Sequence, residues 1–124
     1  MRVLVVDDFP TMRKILKNVL KQINLQNTLE AGNGKEALDL LRKEEIDLII
    51  CDLVMPEMTG MELLQACKND PQISRIPFIM VTAEAQKETV MEAIKAGVDN
   101  YITKPFTPER LQDAISKVTV KTAK

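Results

Sequence analysis

The sequence predicts an α/β fold in which a parallel sheet is covered by helices on both faces. Two observations carry that prediction. Short β-branched runs at Val3–Val6, Leu48–Ile50 and Phe78–Val81 are nearly unbroken apolar blocks, as strands buried on both faces read. Between them lie segments with helical spacing of apolar residues, so strand and helix alternate along the chain. At 124 residues the chain can bury a core as one domain and is too short for a (βα)8 barrel. The expected arrangement is one domain over residues 1–124, flavodoxin-like (βα)5, with five parallel strands in the order 2-1-3-4-5.

Val3–Val6 runs straight into Asp7 and Asp8, and its apolar character places it centrally. Met12, Ile15, Leu16, Val19, Leu20 and Ile23 then follow the i, i+3, i+4 rule of a first helix. Thr28–Ala31 is short and polar, which suits an edge strand. Asn33 with Glu36 has capping-box spacing before a helix carrying Ala37, Leu38 and Leu41. The third strand ends at Asp52. Thr59 with Glu62 repeats the capping spacing before Leu63, Leu64 and Cys67, and Asp70-Pro71 stops that helix. The fourth strand ends at Thr82, and a helical pattern from Lys87 to Ala96 stops at Gly97. A weaker strand, Asn100–Thr103, leads into Lys104. Thr107-Pro108 then opens a last helix with Leu111, Ala114, Ile115 and Val118. The terminal VKTAK is expected to fray.

Composition excludes several functions. With 17 basic and 18 acidic side chains the net charge is -1, which gives no electrostatic reason for direct nucleic-acid or membrane binding. No apolar run approaches the roughly 20 residues of a membrane span. Arg2 and the strand after it leave no room for a secretory signal, so a cytoplasmic protein is expected. The absence of histidine removes Ser-His-Asp and Cys-His catalysis, histidine metal sites and phosphohistidine carriers. Cys51 and Cys67 lack zinc or redox spacing and read as buried thiols.

In such sheets ligands bind beyond the carboxyl ends of the strands. Asp7, Asp8, Asp52, Thr82 and Lys104 therefore converge on one edge. Each alone has an ordinary reading: a solvated turn pair, a cap, a strand-end threonine, a surface charge. Together they make an unusual set. Three close aspartates raise one another's pKa unless a cation neutralises them, and all-oxygen ligands suit Mg²⁺ or Mn²⁺. Lys104 and the Thr82 hydroxyl complete a cage for phosphoryl oxygens. A carboxylate in that cage can be the nucleophile, and Asp52, arriving alone from a central strand, is the better candidate. Asp7 and Asp8 would hold the metal. Gly32-Asn33-Gly34-Lys35-Glu36-Ala37 fits a dinucleotide fingerprint, but the strand before it is polar, and a cap-and-turn role is simpler.

With those residues in view, the chain resembles the response-regulator receiver domains of two-component signalling over its whole length. The resemblance rests on Asp7-Asp8, on Asp52 with Met55-Pro56 and Gly60 after it, on Thr82-Ala83 and on Lys104-Pro105-Phe106. DDFPTMR, MVTAEAQKE and KPFT make it most similar to the chemotaxis members, which themselves exemplify this strand order. The resemblance implies that Asp52 accepts a phosphoryl group from a histidine kinase. It also implies that the Val54 carbonyl ligates Mg²⁺ and that Lys104-Pro105 is cis. Thr82 and Tyr101 would then move inward and remodel the face of the fourth helix, fifth strand and fifth helix for the flagellar motor switch. Such a domain assists its own phosphorylation and dephosphorylation and is not classed as an enzyme. Val54 stands where the chemotaxis members carry asparagine, which bears on acyl-phosphate lifetime and on any dedicated phosphatase. Leu53 replaces a tryptophan, and Pro10 a serine-like cap.

Other readings remain. A Mg²⁺-dependent aspartyl-phosphate phosphohydrolase would carry DxD after the first strand and a substrate cap. A flavodoxin-like cofactor carrier would need a phosphate loop where DDFPT offers acids. A receiver could also control transcription or an enzyme. Since nothing follows Lys124, a stand-alone regulator is expected, with a receiver excised from a larger protein as the alternative, and a monomer is expected.

Overall fold

The computed structural model describes residues 1–122, with side chains to Thr119. The fraying expected of VKTAK thus falls outside the described side chains. Elements alternate as β1 (Val3–Val6), α1 (Pro10–Gln22), β2 (Thr28–Ala31), α2 (Gly34–Lys43), β3 (Leu48–Cys51), α3 (Gly60–Asn69), β4 (Phe78–Thr82), α4 (Lys87–Lys95), β5 (Asn100–Thr103) and α5 (Pro108–Thr122). The strands form one parallel sheet in the order β2-β1-β3-β4-β5, the flavodoxin-like order. Val6 pairs with Ala31 on one side and Cys51 on the other, and Thr82 pairs with Thr103. That register brings the strand ends level.

Period-two alternation divides the buried residues between the faces. Leu4, Val6, Ile49, Cys51, Phe78 and Met80 pack against α2, α3 and α4 through Ala37, Leu41, Leu63, Leu64, Cys67 and Ala93. Val3, Val5, Leu48, Ile50, Ile79 and Val81 face the other way, onto Leu16 and Leu20 of α1 and Leu111 and Ile115 of α5. β1, β3 and β4 are buried along their whole length, which explains their unbroken apolar sequences.

The helix boundaries follow local chemistry. Thr59 and Glu62 form both arms of a capping box. At α2 only one arm forms as expected: Asn33 Oδ1 accepts from the Glu36 amide at 2.8 Å, while Glu36 Oε2 accepts from the Asn33 side chain rather than its backbone. Thr107 caps α5 through the Arg110 amide. Gly97, at φ +100°, closes α4 with Gly97 N–H to Ile94 O and Val98 N–H to Ala93 O. Asn24, at φ +68°, does the same for α1, with Leu25 N–H donating to Leu20 O. Pro10 occupies the first turn of α1 behind an N-cap Phe9 that makes no side-chain cap.

One member of the α1 pattern departs from expectation. Ile15 is 45% exposed. With Met12 and Val19 it lines an open apolar groove of about 350 Å³ against Pro105 and Phe106.

Candidate functional site

β1 delivers Asp7 and Asp8 just past its last residue, β3 delivers Asp52, β4 ends on Thr82, and Lys104 follows β5. All five meet at the carboxyl edge of the sheet. Asp7, Asp8 and Asp52 each place a carboxylate oxygen within 4.8 Å of the others. Asp7 is 1% exposed and Asp52 7%. Lys104 Nζ stands 3.5 Å from Asp7 Oδ2 and 3.6 Å from Asp52 Oδ2, so one ammonium spans two of the three acids. Lys104-Pro105 is cis.

Burial pushes the Asp7 carboxyl above its ordinary pKa. The Phe9 amide, donating to Asp7 Oδ1 at 2.9 Å, and the Lys104 charge oppose that rise, while Asp52 and Asp8 add to it. Among the described residues, Asp8 Oδ1 is the buried side-chain oxygen with no hydrogen-bond partner. Such an atom is costly unless something satisfies it. Three hard oxygen donors, one lacking a partner, fit a divalent cation of the Mg²⁺ type.

The loop after β3 holds Asp52 by close backbone packing. The Val54 amide leans toward Asp52 Oδ1 at 3.4 Å, and the Val54 side chain is 66% exposed at the mouth of the site. Met58 N–H donates to Pro56 O around Glu57, a non-glycine residue at φ +67°, forming a three-residue γ-turn. Gly60 N–H then donates to Leu53 O at 2.7 Å. A Cβ on Gly60 would collide with the Asp52 carbonyl and lie 2.8 Å from Leu53 Cα, so only glycine lets α3 start this near the acid.

Glu84 joins Thr82 to Tyr101. Its amide donates to Thr82 Oγ1 at 3.3 Å, its carbonyl accepts from the Tyr101 hydroxyl at 2.6 Å, and its Oε1 accepts from the Gln86 amide. Burial raises the Tyr101 pKa, with Glu84 and Asp52 contributing, which keeps the ring protonated and donating. Nothing in the sequence marks a role for Glu84 or Arg13. Both stand in stretches that carry the family resemblance, MVTAEAQKE and DDFPTMR, but their bonds run through the backbone, at the Asp7 carbonyl for Arg13 and at Glu84's own amide and carbonyl, which residue type does not reveal.

The remaining motifs are structural. The Gly32–Ala37 stretch follows the edge strand and caps α2. Cys51 and Cys67 are buried, burial pushing the first thiol well above its ordinary pKa and the second to about 11. Among the described residues no helix is long and apolar enough to cross a membrane.

A family model described as the response regulator receiver domain matches residues 3–116. The chain is 44% identical over 118 residues to the chemotaxis protein CheY of Pseudomonas aeruginosa, covering 95% of each. It is 47% identical over 119 residues to a chemotaxis protein CheY homolog of Campylobacter jejuni, covering 95% of this chain and 92% of that one. Among solved structures, chemotaxis protein CheY4 of Vibrio cholerae superposes with a TM-score of 0.87 at 33% identity, covering 94% of this chain and 97% of that one.

Proposed function

The chain belongs to the response regulator receiver domain family, and we propose that it is a phosphoryl-accepting switch of chemotactic signalling, with Asp52 as the acceptor. One observation carries the assignment of Asp52: it lies beside Asp7 and Asp8 and shares the Lys104 ammonium with Asp7. An Asp52 carboxylate oxygen attacks the phosphorus of a kinase phosphohistidine. The new O–P bond forms as the P–N bond breaks, and the imidazole keeps the electron pair and takes up a proton. Asp7, Asp8, Asp52 and the Val54 carbonyl would hold Mg²⁺, which neutralises phosphoryl charge when bound. Mn²⁺ suits the same donors. Lys104 pairs with a phosphoryl oxygen, and the Thr82 hydroxyl donates to another.

Drawing Thr82 toward the acyl phosphate pulls on the Glu84 amide that it now accepts from, and through Glu84 on the Tyr101 hydroxyl. The readout is a change in the α4-β5-α5 face, where Met91 and Ile94 of α4 are exposed apolar residues. The names of the relatives support a chemotactic output; a histidine kinase as donor, the flagellar motor switch as target and the cytoplasm as setting complete the proposal. Residues 1–124 act as one receiver domain, monomeric and without direct contact to nucleic acid. Its own residues also assist loss of the phosphoryl group to water. The exposed Val54 side chain carries no amide, which bears on phosphoryl lifetime and on recognition by a phosphatase.

Incubation with acetyl phosphate and Mg²⁺ followed by intact mass should show one added phosphoryl group, lost without the metal and in Asp52→Asn. Equal labelling of Asp52→Asn would assign the acceptor elsewhere. Continuous turnover of varied phosphate esters would indicate a hydrolase.

A further inference from the structure

Arg13 lies outside the group of site residues yet touches the peptide that joins two of them. Its Nη1 donates to the Asp7 carbonyl at 2.6 Å, a short charge-assisted bond. Its Nε donates to Glu30 Oε1 of β2 at 3.0 Å, and Lys17 Nζ holds the other Glu30 oxygen at 3.0 Å. The Asp7 carbonyl belongs to the Asp7–Asp8 peptide, and the tilt of that plane sets the direction in which Asp8 leaves the chain. We propose that Arg13 is a positioning residue for the metal site, locking the Asp7–Asp8 peptide so that both carboxylates face Asp52.

This inference rests on the reading of the acidic group as a Mg²⁺ site. Its sign separates position from charge. Arg13 is a cation near three acids, so by electrostatics alone its removal would tighten cation binding. By position its removal weakens binding, because one donor group becomes free to turn away.

The test is calorimetric titration of the phosphoryl-free protein with MgCl₂, alongside thermal melts without metal. Arg13→Met keeps the apolar stem and should raise the Mg²⁺ Kd by about tenfold or more, within the range for residues that orient metal ligands. Glu30→Gln breaks the same ion pair but leaves Arg13 able to reach Asp7. It should lower the melting temperature while holding the Kd within about threefold of the parent. An unchanged or tighter Kd in Arg13→Met would overturn the proposal, as would equal weakening in both variants. No Mg²⁺ binding by the parent protein would instead overturn the metal site itself, and this inference with it.

Discussion

Burial pushes the Asp7 carboxyl above its ordinary value, with the Asp52 and Asp8 charges contributing and the Phe9 amide and Lys104 opposing. A raised carboxyl pKa means that the charged form is disfavoured by folding. Its effect is absent below the unfolded value near 3.8 and grows as pH rises through the higher folded value. Above that folded value the buried carboxylate therefore destabilises the metal-free protein. Asp7→Asn keeps the acceptor for Phe9 N–H and removes that charge. Its metal-free melting temperature should rise at pH 7, on the order of 4 °C per 1 kcal/mol gained, and the gain should vanish in acid. A lower melting temperature would mean that the Lys104 pair outweighs the burial. At this scale the sequence located Asp7, Asp8, Asp52, Thr82 and Lys104, because each stands where a strand must end. Arg13 and Glu84 escaped it, since their bonds run through backbone groups, the Asp7 carbonyl for Arg13 and Glu84's own amide and carbonyl, that meet their partners only after folding.

β2 is the edge strand, and charge holds its exposed side to α1. Glu30 sits between Lys17 and Arg13, and those hydrogen bonds lower its pKa, Lys17 first. A lowered carboxyl pKa stabilises the fold above the unfolded value near 4.5, and the effect is lost as pH falls through the lower folded value. The stability difference between the parent and Glu30→Gln should thus be constant at neutral pH and shrink in the window below about pH 4.5. A pH-independent difference, read from denaturant midpoints, would mean that packing rather than charge couples these elements. The pair is exposed, so the difference should be small and salt-sensitive. Helix starts at Thr59 and Thr107 were legible because a cap needs only residues three apart. The α1 stop at Asn24 was not, since asparagine enters the left-handed region only where the chain requires it.

Over the whole molecule, stability and signalling chemistry meet at one sheet edge. A ligand that binds only the native state stabilises it by RT ln(1 + [L]/Kd), about 2.7 kcal/mol at a hundredfold excess over Kd. Mg²⁺ should therefore raise the melting temperature of the parent progressively, and far less in Asp8→Asn, which removes the negative charge of the carboxylate whose buried oxygen lacks a partner. A melting temperature flat in Mg²⁺ would contradict the metal site. Alternation of β-branched runs with helical spacing determined the parallel sheet, its order and the edge where chemistry-bearing residues gather. These follow from local periodicity and the handedness of connections, which a sequence carries. Tertiary structure alone decided the rest: Lys104 midway between Asp7 and Asp52, Gly60 against the Asp52 backbone, Arg13 on the Asp7 carbonyl and Glu84 between Thr82 and Tyr101. Those depend on angstrom-scale distances between residues far apart in the chain, and packing sets such distances.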